Sequence, residues 1–220
     1  MNYSIVYSSR TGNTAVLADR IRQCLPKGAG IYTGKALAAI ETGSRRILEA
    51  DLIFAGFWTD MGTCDEETAS FLKTLKNRNV FLFGTAGFGG DPEYFRQILS
   101  KAALNLDRSN TIAGSFMCQG KMPESVGARY RAMLAGHCAA ADNLNAADNL
   151  NAADNPNTSD NYKAAARMLE NFRQAAAHPD KADLDELEAA VRECISRSGH
   201  GYVPQSGHGQ GGGADAGGTH

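Results

Sequence analysis

Ile5-Val6-Tyr7-Ser8-Ser9-Arg10-Thr11-Gly12-Asn13-Thr14, running directly into Ala15-Val16-Leu17-Ala18-Asp19-Arg20-Ile21, decides the fold of this chain. An apolar run of β type stops in a loop rich in hydroxyls, and a helical pattern begins at once. Backbone N–H groups at the start of a helix lack intrahelical partners and carry the positive end of its dipole, so the layout suits an anion. Ser9, Thr11 and Thr14 add hydroxyls, Asn13 adds an amide, and Gly12 lets the backbone wrap closely around a tetrahedral group. No Lys follows the glycine and no long Gly-to-Gly spacing precedes it, which excludes a nucleoside-triphosphate P-loop. The G-x-G-x-x-G of dinucleotide folds is absent as well. Mainly neutral donors suit one terminal phosphomonoester. A plain helix cap is the competing reading, since Ser, Thr and Asn are common there. Four donor side chains between Ser9 and Thr14 exceed what a cap needs.

Outward from this loop, strand and helix patterns alternate, which predicts an α/β fold: a doubly wound, five-stranded parallel sheet with helices on both faces. Strands are expected at Asn2–Ser8, Gly30–Thr33, Asp51–Trp58, Asn79–Gly84 and Thr111–Cys118. Helices are expected at Asn13–Cys24, Glu66–Lys76, Pro92–Leu104 and from Pro123-Glu124 to about Gly136, the third opened by Asp91-Pro92 as cap and first residue. Right-handed crossovers then bring the ligand loops to the C-terminal edge of the sheet.

Two further loops fall on that edge. Leu52–Phe57 ends in Trp58-Thr59-Asp60-Met61-Gly62-Thr63-Cys64-Asp65, and Trp58 is the only tryptophan. An indole leaving the core at a strand end stacks well on a planar heteroaromatic, or else closes the top of the core. The third loop is Gly84-Thr85-Ala86-Gly87-Phe88-Gly89-Gly90, followed by Asp91-Pro92-Glu93-Tyr94-Phe95. Its glycines permit close backbone approach, so N–H and C=O groups can meet the edge of a heterocycle.

Tyr7-x-Ser9-x-Thr11-Gly12-Asn13-Thr14-x-x-x-Ala18 resembles the phosphate loop of the flavodoxins, and the Trp58 and Gly-rich segments resemble that family's second and third loops. The resemblance covers about Met1 to Gly136 and implies flavin mononucleotide (FMN) as cofactor. It assigns the phosphate to Ser9, Arg10, Thr11, Gly12, Asn13 and Thr14, and the ring to Phe57, Trp58, Thr59, Asp60, Gly62, Thr85, Ala86, Gly87, Phe88 and Gly89. Phe88 takes the second stacking position, with Tyr94 in reserve, because Pro92 stands near the place of the family's usual tyrosine. Where the family commonly has a glycine after the tryptophan, free to flip its peptide toward the half-reduced flavin, this chain has the β-branched Thr59.

Gly56-Phe57-Trp58, Phe88-Gly89-Gly90 and Met117-Cys118-Gln119-Gly120-Lys121-Met122-Pro123 further resemble a subgroup of bacterial flavodoxin-like proteins, some associated with bilirubin reductase. The implied function is electron transfer to or from a protein redox partner such as a reductase. The rival readings are an FMN-dependent NAD(P)H oxidoreductase acting on a small substrate, and a flavodoxin-fold binding module that has lost FMN. No nicotinamide fingerprint is visible, which favours the carrier.

Charge and cysteines bound the rest. Among 220 residues the formal net charge is −2, which argues against a general nucleic-acid grip. Asp60, Asp65, Glu66, Glu67, Asp91 and Glu93 cluster near the loops. Negative charge there lowers a flavin potential, although Asp65 and Asp91 also read as helix caps. The five cysteines are scattered and lack zinc or C-x-x-C spacing, which fits a reducing cytoplasm. No His neighbours Cys64 or Cys118 to activate a thiolate, while Lys121 is placed to offset a phosphate or an acidic substrate. No apolar run is long enough to cross a bilayer and no charged-then-apolar leader follows Met1, so neither membrane insertion nor export is expected.

The flavin-binding domain is expected to span 1–140. Ala-Asp-Asn-Leu-Asn-Ala occurs at Ala141–Ala146 and again at Ala147–Ala152, so 141–160 reads as a polar repeat linker. Tyr162–Ala177 and Asp183–Ser196 read as a C-terminal helical extension (161–197), the second helix striped by Leu184, Leu187 and Val191. The Gly/His stretch 198–220 reads as a disordered tail without a metal site.

Overall fold

The computed structural model describes residues 1–41, 45–89, 91–145 and 156–199. Five strands, β1 (Tyr3–Tyr7), β2 (Gly30–Lys35), β3 (Leu52–Asp60), β5 (Asn79–Ala86) and β6 (Thr111–Gln119), form a parallel sheet in the order β2-β1-β3-β5-β6. The order reverses between β1 and β3, and loops leaving the two strands in opposite directions open a crevice there. The two-residue β4 (Thr63–Cys64) folds back antiparallel on the end of β3.

Period-two alternation divides the sheet residues between two cores. Leu52 and Phe54 of β3 join Phe81 and Phe83 of β5 under α1 (Asn13–Cys24) and α7 (Lys181–Gly199). Ile53, Ala55 and Phe57 join Val80 and Leu82 under α2 (Ala36–Glu41), α3 (Glu66–Thr74) and α4 (Pro92–Ala103). Two of the four central phenylalanines fit because the facing strand offers no side chain opposite them. Gly56 pairs in register with Phe83, and Gly84 with Phe57. A Cβ on Gly56 would lie 2.3 Å from Phe83 Cζ, so an alanine there forces the ring out of place.

Two Asp residues start helices as expected: Asp65 accepts from the Thr68 amide before α3, and Asp91 from the Glu93 amide before α4, with Pro92 in the first turn. The short helix α2, directly after β2, was not expected from the sequence, and β2 itself runs on to Lys35.

Beyond the fifth parallel strand the chain forms α5 (Glu124–Asn145) and α6 (Pro156–Ala175), which pack on each other. The first five residues of the repeat stretch lie inside α5 and its last five belong to α6, whereas 146–155 lie outside the described residues, as do 200–220 with the Gly/His stretch. It is α7 that covers the sheet beside α1, burying Leu187, Val191 and Cys194 on the phenylalanine face. Arg20 of α1 reinforces the contact, its Nη2 lying 2.6 Å from Glu188 and 3.2 Å from Asp185 of α7. Among the described residues no helix is long and apolar enough to cross a membrane.

Candidate flavin site

The three loops converge at the C-terminal edge on one cleft of about 480 Å³. Arg10, Thr11 and Asn13 line it from the first loop, Trp58, Thr59 and Asp60 from the second, and Thr85, Ala86, Gly87 and Phe88 from the third.

The start of α1 is built differently from the starts of α3 and α4. Its cap is Gly12 at φ 92°, with no side chain capping the helix from that position. As at any helix start, the first N–H groups, those of Asn13 and Thr14, have no intrahelical carbonyls, and Gly12 places no side chain over them. The Ser9 hydroxyl accepts from the Ala15 amide at 3.3 Å, which curls the loop over the helix end and leaves the hydroxyl proton to donate elsewhere.

Two of the expected phosphate donors instead bind the loops together. Asn13 Nδ2 donates to Thr11 Oγ1 and to the Lys121 carbonyl, both at 2.8 Å, so both amide protons are engaged. Thr14 is buried, its hydroxyl 3.2 Å from the Phe57 carbonyl and 3.2 Å from Thr85 Oγ1. That hydroxyl joins the first loop to the ends of β3 and β5, one strand from each of the other two loops.

The second loop is a tight hairpin. Thr59 pairs with Cys64 and Asp60 with Thr63, while Met61 (φ 45°) and Gly62 (φ 78°) take the two positive-φ positions of the turn. The Asp65 amide donates to the Trp58 carbonyl at 3.2 Å. Gly62 therefore shapes the turn rather than lining the cleft, and Met61, 96% exposed, forms its tip. Arg10 sits over the indole of Trp58, 5.3 Å from guanidinium carbon to ring centre. The buried Thr59 hydroxyl has no hydrogen-bond partner among the described residues. Buried hydroxyls are normally paired, so an orphan on the cleft wall fits a site that a ligand completes.

Phe88 lies on the cleft and is partly exposed, as a stacking side chain requires. Tyr94 does not reach it: one turn into α4, it packs against the core and burial pushes its phenol up. Phe57 is fully buried in the core under α2, α3 and α4 and does not reach the cleft. Gly89 is turned toward Gln119, which leaves no room for a Cβ.

Sequence reasoning pointed to only part of a fourth wall. Lys121, Met122, Pro123, Ser125, Val126, Arg129 and Tyr130, from the end of β6 and the first turns of α5, complete the cleft. Its sequence signals were Lys121 at the end of the fifth strand and Pro123-Glu124 opening a helix on the ligand edge. The cleft thus carries Arg10, Lys121 and Arg129 against the single carboxylate of Asp60. The other acidic residues expected near the loops have structural roles, Asp65 and Asp91 as caps and Glu93 paired with Arg96. Neither loop cysteine is activated, since burial pushes the Cys64 and Cys118 thiols up and Asp183 adds to the effect on Cys118.

A parallel doubly wound sheet with a phosphate-type loop, a tryptophan hairpin and a Gly-rich loop on one cleft defines a flavodoxin-type protein. The chain matches the flavodoxin domain over residues 4–167 and belongs to the flavodoxin family, whose cofactor is FMN. It is 36% identical to the flavodoxin-like domain-containing protein BilS of Clostridium symbiosum (strain WAL-14163) over 211 residues, covering 91% of this chain and 100% of the relative. It is 28% identical to BilS of Clostridioides difficile (strain CD3), covering 90% and 98%. Among solved structures it is similar to oxidised Flavodoxin 2 from Bacillus cereus, with TM-score 0.49, 14% identity and coverage of 90% and 99%.

Proposed function

We propose that the chain is an FMN-binding electron carrier that passes electrons to or from a protein redox partner. The observation that carries this reading is the convergence of a glycine-capped helix start, a tryptophan hairpin and a Gly-rich loop on one open cleft. FMN supplies one- and two-electron chemistry through its ring, and the protein sets binding and potential. The N–H groups of Asn13 and Thr14, with the Ser9 and Thr11 hydroxyls, hold the phosphate. Trp58 and Phe88 offer ring faces, and the backbone of Thr85–Gly89 meets the polar edge. The Thr59 hydroxyl, without a partner among the described residues, supplies one further hydrogen bond. Met61 and Phe88, exposed beside the cleft, give a partner an apolar contact next to the ring.

The BilS relatives match over nine-tenths of the chain, which supports the reading drawn from the 56–58, 88–90 and 117–123 motifs. On that reading the partner is a reductase such as bilirubin reductase. The cationic fourth wall favours a second reading, in which a small anionic substrate is reduced over the flavin in the same cleft. One experiment separates them. FMN-loaded protein is reduced without oxygen and mixed either with the reductase or with the small substrate alone. Flavin reoxidation only in the presence of the reductase supports the carrier. Stoichiometric reoxidation by the small molecule alone overturns it in favour of the enzyme.

A further inference from the structure

Between β5 and α4, the Gly-rich loop is held from outside the three-loop site. Asn171 of α6 donates through Nδ2 to the Gly87 carbonyl at 3.0 Å. Its Oδ1 accepts from the Gly89 amide at 3.4 Å and from Gln119 Nε2 at 3.1 Å. Gln119 Nε2 is also 3.1 Å from the Gly87 carbonyl. Two side-chain amides thus fix the carbonyl and the amide that flank Phe88. Gln119 is 8% exposed, so these bonds face little competition from water.

The neighbouring packing explains how α6 reaches the loop. Phe172 lies against Gly127 of α5, where a Cβ would come within 2.5 Å of its ring. The missing side chain lets the two helices approach closely and sets Asn171 over Gly87. A second tie, from the Lys121 amide to the His178 carbonyl at 3.0 Å, holds the segment after α6 against the fourth wall.

We infer that Asn171 is a positioning residue of the flavin site: through the Gly87 carbonyl and Gly89 amide it fixes the backbone that meets the edge of the ring. The C-terminal helices are then part of the cofactor site. This inference rests on the FMN reading above.

The test compares full-length wild type with Asn171→Ala, Asn171→Asp and, as a control, Glu170→Ala, whose side chain is 58% exposed and pairs with Arg173. Two quantities are measured: FMN affinity from the quenching of added flavin, and amide exchange at Gly87–Gly89 in the cofactor-free protein. Losing two hydrogen bonds to the loop predicts roughly tenfold weaker FMN binding in Asn171→Ala. Faster exchange confined to the loop should accompany it, with Glu170→Ala like wild type. In Asn171→Asp a carboxylate faces the Gly87 carbonyl at pH 7, and protonation restores a donor. Its deficit relative to wild type therefore shrinks as the pH is lowered through the titration of that carboxyl, a dependence that mere loss of α6 packing does not give. Wild-type affinity and exchange in both Asn171 variants overturn the inference. A wild type that does not quench added FMN defeats the FMN reading instead, and the inference with it.

Discussion

The Arg10 guanidinium lies over the Trp58 indole, 5.3 Å from its centre. If a flavin stacks on Trp58 as proposed, on the face opposite Arg10, a cation stands beside the stacked pair. Reduction of a flavin adds negative charge, which this cation favours. Arg10→Gln is therefore expected to lower the midpoint potential of bound FMN by tens of millivolts at low salt, less at high salt. Potentiometric titration of the two proteins checks it, and an unchanged or higher potential in the variant contradicts it.

Thr59 occupies a paired strand position, and the preceding carbonyl, that of Trp58, is engaged by the Asp65 amide. Rotating the backbone here breaks the hairpin and drives a β-branched residue toward positive φ. Thr59→Gly removes the second obstacle. It is expected to accumulate more half-reduced flavin than wild type during stepwise anaerobic reduction, read from the long-wavelength absorbance. Equal or smaller accumulation argues that the Thr59 side chain does not limit that state.

Leu187 of α7 is fully buried on the phenylalanine face of the sheet. If α7 is an integral wall of the domain, Leu187→Ala costs about 2–5 kcal/mol of stability in denaturant titrations, the range for cavities in well-packed cores. A loss under about 0.5 kcal/mol, usual for surface positions, would make α7 an appendage.

Cys118 supplies a pH signature. Burial raises its thiol pKa above the ordinary value of 9.0, and Asp183 and Asp180 push the same way. The unfolded chain releases this proton near pH 9 while the folded protein keeps it, so the contribution is whole below that pH and declines as pH rises above it. The fall in stability between pH 8 and pH 10.5 should accordingly be shallower in Cys118→Ala than in wild type, whatever the variant's offset at pH 7. Parallel pH profiles would show that the thiol is not protected.

The parts of the site legible in the sequence were those encoded within a few consecutive residues. Ser9–Thr14 announced the loop and helix start, Trp58 marked a strand end, and the glycines after Phe83 marked a close-approach loop. What the sequence hid depended on distant partners. Asn13 and Thr14 resembled phosphate donors, yet their side chains reach Lys121, Phe57 and Thr85, and no spacing encodes such pairs. Asn171 is a single amide on a polar helix, and only the tertiary path through Gly127 and Phe172 brings it to Gly87. The stripe of Leu187 and Val191 showed that α7 buries a face, while the choice of the sheet as neighbour was set by packing. The helix α2 escaped because six residues are too few for a periodic signal and it begins without a break after β2.

On the proposed reading the cleft takes FMN with its phosphate at the start of α1. The most direct measurement titrates the cofactor-free protein with FMN and, in parallel, with riboflavin, the same ring without the phosphate, following flavin and Trp58 fluorescence. Even two charge-assisted hydrogen bonds to the phosphate predict that FMN binds roughly a hundredfold or more tightly than riboflavin. Saturable quenching by FMN with that preference is the predicted result. No quenching, or equal affinity for the two flavins, would contradict it.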